Sequence, residues 1–112
     1  KTGTRRQADL VLSQAGRLAR KEVLDAFRLW ESAGLELEAY RKALSSAEDN
    51  HRVVAEEYRM NRVTILDVLT ALTSLQSARE DYERARLQHK LNRIKLGIAA
   101  NEFSGDRIRA LK

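Results

Sequence analysis

The sequence predicts an all-α fold, a long antiparallel two-helix coiled-coil hairpin, and three observations point to it. The composition is that of long helices: 112 residues hold no proline, only 5 glycines, 33% charged residues and 5% aromatics, with Ala, Leu, Arg and Glu dominant. Apolar residues recur in a seven-residue rhythm along most of the chain. That rhythm breaks once, in the stretch from Tyr58 to Asp67, where turn and capping residues gather.

The first helix is predicted over about residues 6–59. One stripe runs through it at 4-3 spacing: Leu12, Gly16, Ala19, Val23, Ala26, Trp30, Ala33, Leu37, Tyr40, Leu44, Ala47, His51, Val54 and Tyr58. A heptad repeat held this long implies a left-handed supercoil, and its many alanines favour close helix approach. The turn is placed at 60–63. Asn61 tolerates the left-handed backbone that ends a helix better than any residue except glycine. Thr64, followed by Asp67, fits an N-cap with an acid in the first turn. The second helix is predicted over about 64–102, with a short tail at 103–112 after the Ser104-Gly105-Asp106 break. Its stripe reads Val68, Ala71, Leu75, Ala78, Tyr82, Ala85, His89, Asn92, Leu96, Ala99 and Phe103. At 1.5 Å per residue the arms span roughly 80 and 58 Å.

With a turn near residue 61, residue i of the first helix faces about residue 122 − i of the second. Each helix also carries apolar residues off its stripe: Leu10, Leu18, Leu24, Leu29 and Leu35 on the first, Leu87, Leu91, Ile94 and Ile98 on the second. A two-helix hairpin needs one seam per helix, so a second row implies further neighbours.

The net charge is +5, but its distribution argues against a nucleic-acid groove. Residues 1–28 carry 7 basic and 3 acidic groups, residues 29–58 carry 3 and 7, and residues 59–112 carry 11 and 6. Acidic groups interrupt any basic stripe, and few aromatics are free to stack on bases. The longest uncharged run, Val68 to Ala78, is far shorter than the ~20 apolar residues of a spanning helix. No direct membrane contact is expected. The opening KTGTRRQ reads as an internal start rather than a signal peptide. Cysteine is absent, which is compatible with any redox compartment.

No catalytic constellation is expected: there is no Cys, no Gly-rich phosphate loop and no HExxH. His51 and His89 lie roughly 27 Å apart along the predicted hairpin, so no metal site is expected either, and no cofactor. Acidic residues such as Glu56, Glu57, Glu80, Asp81 and Glu83 stand among arginines, as on solvated ion-pair faces. The chain therefore reads as a non-enzyme.

The segment YRMNRVTILDVLTALTSLQSARED, followed by ARLQHKLNRIKLGIAAN, resembles the TolC family of outer-membrane efflux proteins. Their second repeat carries a pattern close to Y-x-x-G-x-x-[ST]-[IL]-x-D-V-L-x-A at its periplasmic turn. The matching residues are Tyr58, Thr64, Ile65, Asp67, Val68, Leu69, Ala71, Leu75, Ala78, Ala85, Arg86 and Gly97. The family's turn glycine is Asn61 here. One member places an arginine two residues after that glycine, with aspartates four and seven residues further on, to close its aperture. Those positions hold Val63, with Arg62 beside it, then Asp67 and Thr70.

The resemblance implies a fragment of a trimeric helical barrel, the periplasmic tunnel wall of an outer-membrane duct. Tyr58, Met60, Asn61, Arg62, Val63 and Thr64 would form the tip that docks a periplasmic adaptor, and through it an inner-membrane transporter. Asp67 and Thr70 would line the aperture, where rings of charge select ions. The alternatives are the adaptor's own hairpin and a cytoplasmic coiled-coil scaffold. Arg62, Leu66 and Thr73 loosely fit the adaptor family's Arg-x3-Leu-x6-Ser pattern. DNA binding that weakens steeply with salt would instead mark a nucleic-acid protein.

Overall fold

The computed structural model describes residues 2–111, with side chains for residues 3–102. Two helices make up the described chain: α1, Thr2–Arg59, and α2, Ile65–Leu111. Among the described residues there is no strand. The turn falls where the sequence places it, and Thr64 stands just outside α2 rather than inside it. Both outer ends run further than expected. α1 begins at Thr2 instead of near residue 6, and α2 continues to Leu111, so residues 103–111 of the expected tail are helical backbone, while residue 112 lies outside the described residues. Ser104-Gly105-Asp106 lowers helix propensity without removing a backbone N–H, and no proline is present to end the ladder.

The chain divides into two compact units, each combining a stretch of α1 with a stretch of α2. One is Ala33–His89, which contains the turn. Its seam follows the heptads. Ala33, Ala71, Leu75 and Ala85 are buried, and Leu37, Leu44, Ala47, His51, Val54, Val68, Ala78, Tyr82 and His89 are half-buried. The turn and one close approach set an antiparallel register: a methyl group on Gly34 would lie 3.4 Å from Nε2 of His89, where 122 − i places residue 88. Tyr40 departs from expectation: it is on the stripe yet exposed. Tyrosine pairs an apolar ring with a polar tip, so its place at a seam edge is tolerated.

The other unit is Lys1–Ser32 with Lys90–Lys112. Here Ala19, Val23, Ala26 and Trp30 of α1 and Leu96 and Ala99 of α2 are half-buried. Asn92 is buried at 7% exposure. Leu12 and Gly16, though on the stripe, are exposed. Phe27 and Trp30 stack obliquely one helical turn apart, their ring centroids 5.8 Å from each other. This unit carries 13 basic and 6 acidic residues (+7), whereas Ala33–His89 carries 8 and 10 (−2).

Both cores are thin. Among the described residues no large side chain is fully sealed from solvent, and three of the four buried apolar residues are alanines. Leu75, at 4% exposure, is the largest of them, and its burial is worth about 1.5–3 kcal/mol. Outside the seam, acids pair with arginines three residues later: Glu38–Arg41 (2.6 Å), Asp49–Arg52 (2.8 Å), Glu56–Arg59 (3.7 Å), Asp81–Arg84 (3.6 Å) and Glu83–Arg86 (3.9 Å). All are solvent-exposed and individually contribute little.

Candidate functional site at the helical turn

The turn is closed by backbone chemistry from both sides. At the end of α1, Asn61 adopts φ = 58°, the left-handed conformation its short polar side chain tolerates. The Arg62 N–H donates to Glu57 O (2.9 Å), and the Asn61 N–H donates to Tyr58 O (3.0 Å). This pair of nested bonds is the Schellman motif, which satisfies carbonyls that a helix end otherwise leaves without partners. Asn61 stands at the position where glycine is usual.

α2 is capped from within. The Thr64 N–H donates to Oδ2 of Asp67 (3.1 Å), and the Thr64 hydroxyl lies 3.4 Å from the same oxygen. A residue at the third helical position reaching back to the N-cap amide is one half of a capping box. In place of the reciprocal bond, the Asp67 N–H donates to Thr64 O (3.1 Å). The carboxylate also opposes the positive end of the α2 dipole. Val63 and Val68, the positions of a hydrophobic staple, are both half-buried. The turn is therefore a built corner, held by main-chain bonds and one carboxylate.

The residues expected at the tip lie together in this corner. Tyr58, Met60, Asn61, Arg62 and Thr64 are exposed, and Val63 is half-buried. The two residues expected at an aperture have local partners. Asp67 caps α2, and the Thr70 hydroxyl donates to Leu66 O (2.9 Å). Thr73 makes the equivalent bond to Leu69 O (2.9 Å). Such bonds to the carbonyl four residues back bend a helix slightly. Three residues that the sequence reading named in turn patterns but left out of the docking tip, Ile65, Leu66 and Leu69, are all exposed, Leu66 most of all at 69%. Their signal was available, because all three fall off the Val68–Ala71–Leu75 stripe. With Tyr58 and Met60 they make the tip a cluster of exposed apolar side chains.

Charge at the tip is largely spoken for. Arg59 pairs with Glu56 and Asp67 is engaged in the cap, whereas Arg62 has no carboxylate within ion-pair range among the described residues. Further along α1, Arg41 grips Glu38 with two bonds, Nε–Oε2 at 3.0 Å and Nη2–Oε1 at 2.6 Å. The hydrogen bond from Arg41 holds the Glu38 carboxyl below the ordinary glutamate range, and Glu38 in turn raises Arg41.

Among the described residues, no group of three His, Asp or Glu side chains is placed to hold a metal ion. No described helix is long and apolar enough to cross a membrane. The chain matches no protein-family model, no curated protein and no solved structure.

Proposed function

We propose that this hairpin is a periplasmic tunnel-wall segment of an outer-membrane efflux or secretion duct, assembled as a homotrimer, its turn docking a periplasmic adaptor and gating the entrance. In this reading the chain performs no chemistry and holds no cofactor. One observation carries it: pairing of α1 with α2 leaves a second apolar row uncovered on each helix. Leu18, Leu24, Leu29 and Leu35 on α1, and Leu87, Leu91, Ile94 and Ile98 on α2, are all exposed. Helices with two apolar rows fit a wall in which each helix has a neighbour on either side.

The resemblance of Tyr58–Ala78 to the TolC turn supplies the identity of that wall. The apolar, rigidly capped tip suits docking, because a preorganised surface loses little entropy on binding. The adaptor-hairpin reading draws on the exposure of Arg62 and Leu66 at the same tip.

The test uses the complete polypeptide that carries this hairpin, purified and reconstituted in planar bilayers. A trimeric, conducting pore is expected. Asp67→Asn keeps an acceptor for the Thr64 amide, so helicity is retained while conductance or cation block changes. Absence of any pore rejects the duct. A pore whose conductance ignores Asp67→Asn rejects only the aperture role of that residue.

A further inference from the structure

The two units differ in how their charges are answered. In Ala33–His89, five of the eight basic residues, Arg41, Arg52, Arg59, Arg84 and Arg86, lie within ion-pair range of a carboxylate. In Lys1–Ser32 with Lys90–Lys112, nine basic side chains are described and all nine are exposed. None of them is in an ion pair among the described residues, although five acids are described in the same unit. Five of the nine form a row. At about 100° per residue, Arg6, Arg17, Arg20, Lys21 and Arg28 fall on one side of α1, turned away from the half-buried Ala19, Val23, Ala26 and Trp30. Asp9, Glu22 and Asp25 fall outside that side, so the acids that interrupt the linear sequence do not interrupt the row. It runs roughly 33 Å along the helix.

Arg17 and Lys21, one turn apart, are a like-charge pair of the kind that weakens a helix slightly, and a bound anion relieves it. Four of the five cations are arginines, whose planar fork matches phosphate oxygens. Spread over such a length, they do not converge on one small anion. Nucleic acid fits poorly, because the row holds no aromatic or amide side chain to stack on or read a base. A straight row meets a flat sheet of phosphates along its whole length. We infer that this side of α1 is a docking surface for an anionic phospholipid bilayer, its cations meeting headgroup phosphates. No described helix is long and apolar enough to cross a bilayer, but lying against one asks only for matched charge at the surface. The long arginine and lysine stems carry their charge clear of a wall neighbour packed on Leu24. The surface is built by one unit of one chain and is independent of the duct reading.

The experiment is co-sedimentation of the chain with vesicles of phosphatidylcholine alone and of phosphatidylcholine with an equal part of phosphatidylglycerol. Binding is expected to the mixed vesicles only, and to weaken as salt is added. Arg17→Gln, Arg20→Gln and Lys21→Gln together should weaken it about a hundredfold, at about fivefold per basic residue near such a surface. Arg52→Gln, Arg84→Gln and Arg86→Gln together remove as many charges from the other unit and should change binding by less than about fivefold. Circular dichroism should show both triple variants as helical as the parent, since all six residues are exposed. Equal weakening by the two triples overturns the inference, because net charge alone would then account for binding. So does equal binding to the neutral vesicles. Tighter binding to duplex DNA than to the mixed vesicles, at equal phosphate concentration, also overturns it and assigns the row to nucleic acid.

Discussion

Replacing Asn61 by valine tests the corner on which the antiparallel pairing turns. Asn61 sits at φ = 58°, where a side chain branched at Cβ crowds the following carbonyl. An ordinary L-residue loses about 1–2 kcal/mol in that conformation, asparagine somewhat less and glycine essentially nothing. If the backbone relaxes instead, the bonds from Arg62 to Glu57 and from Asn61 to Tyr58 are surrendered, at about 1 kcal/mol each. Either route puts Asn61→Val about 1–2 kcal/mol below the parent, and Asn61→Gly at or slightly above it. For a domain of this size 1 kcal/mol moves the melting temperature by roughly 4 °C. Thermal melts followed by circular dichroism at 222 nm should therefore separate the two variants by about 4–8 °C. Equal melting temperatures would refute the left-handed corner.

Three further outcomes follow from the same geometry. Gly16 has open space where a Cβ would stand, so Gly16→Ala should raise stability by about 1 kcal/mol. Gly34→Ala should gain as much or slightly more, because its methyl would stand in ordinary van der Waals contact with His89 at 3.4 Å; a loss of stability in thermal melts would dismiss that packing. Glu38 should titrate below an ordinary glutamate by carboxyl-carbon NMR, and Arg41→Ala should return it to the ordinary range. Because its folded-state pKa is depressed, the associated stability is present above the unfolded pKa and fades as pH falls through the folded one. Spin labels at residues 20 and 100, which share one compact unit, should sit near the 8–10 Å interaxial spacing of packed helices, plus the label arms. A separation near 120 Å, that of a continuous helix, would show that no reversal occurs.

Much of this was legible in the sequence because it depends on local rules. Seam residues from Ala19 to Val54 and from Val68 to Ala99 lost exposure at nearly every position the heptads named. Asn61 and Thr64 took the conformation and the cap that their side chains favour. The misses have physical causes. The end of α2 was drawn too short because Ser104-Gly105-Asp106 lowers helix propensity without by itself stopping a helix. Tyr40 was assigned to packing because periodicity reports the direction of a side chain and is blind to how far a long one reaches outward. Asp67 was read both as the acid of the first turn of α2 and as an aperture carboxylate, and its bond to the Thr64 amide is the first of these.

The doubly capped corner has a kinetic consequence. Facing residues next to it are separated by only a few positions of chain, and that separation grows by two with each step outward, reaching the interval from 34 to 89 at the Gly34–His89 approach. Loop-closure entropy rises only logarithmically with such intervals, so once the corner forms, every later pairing closes a short additional loop. Folding then proceeds like a zip from its slider, and mutations at Asn61 or Asp67 should slow refolding, whereas those at the far alanines should mainly hasten unfolding.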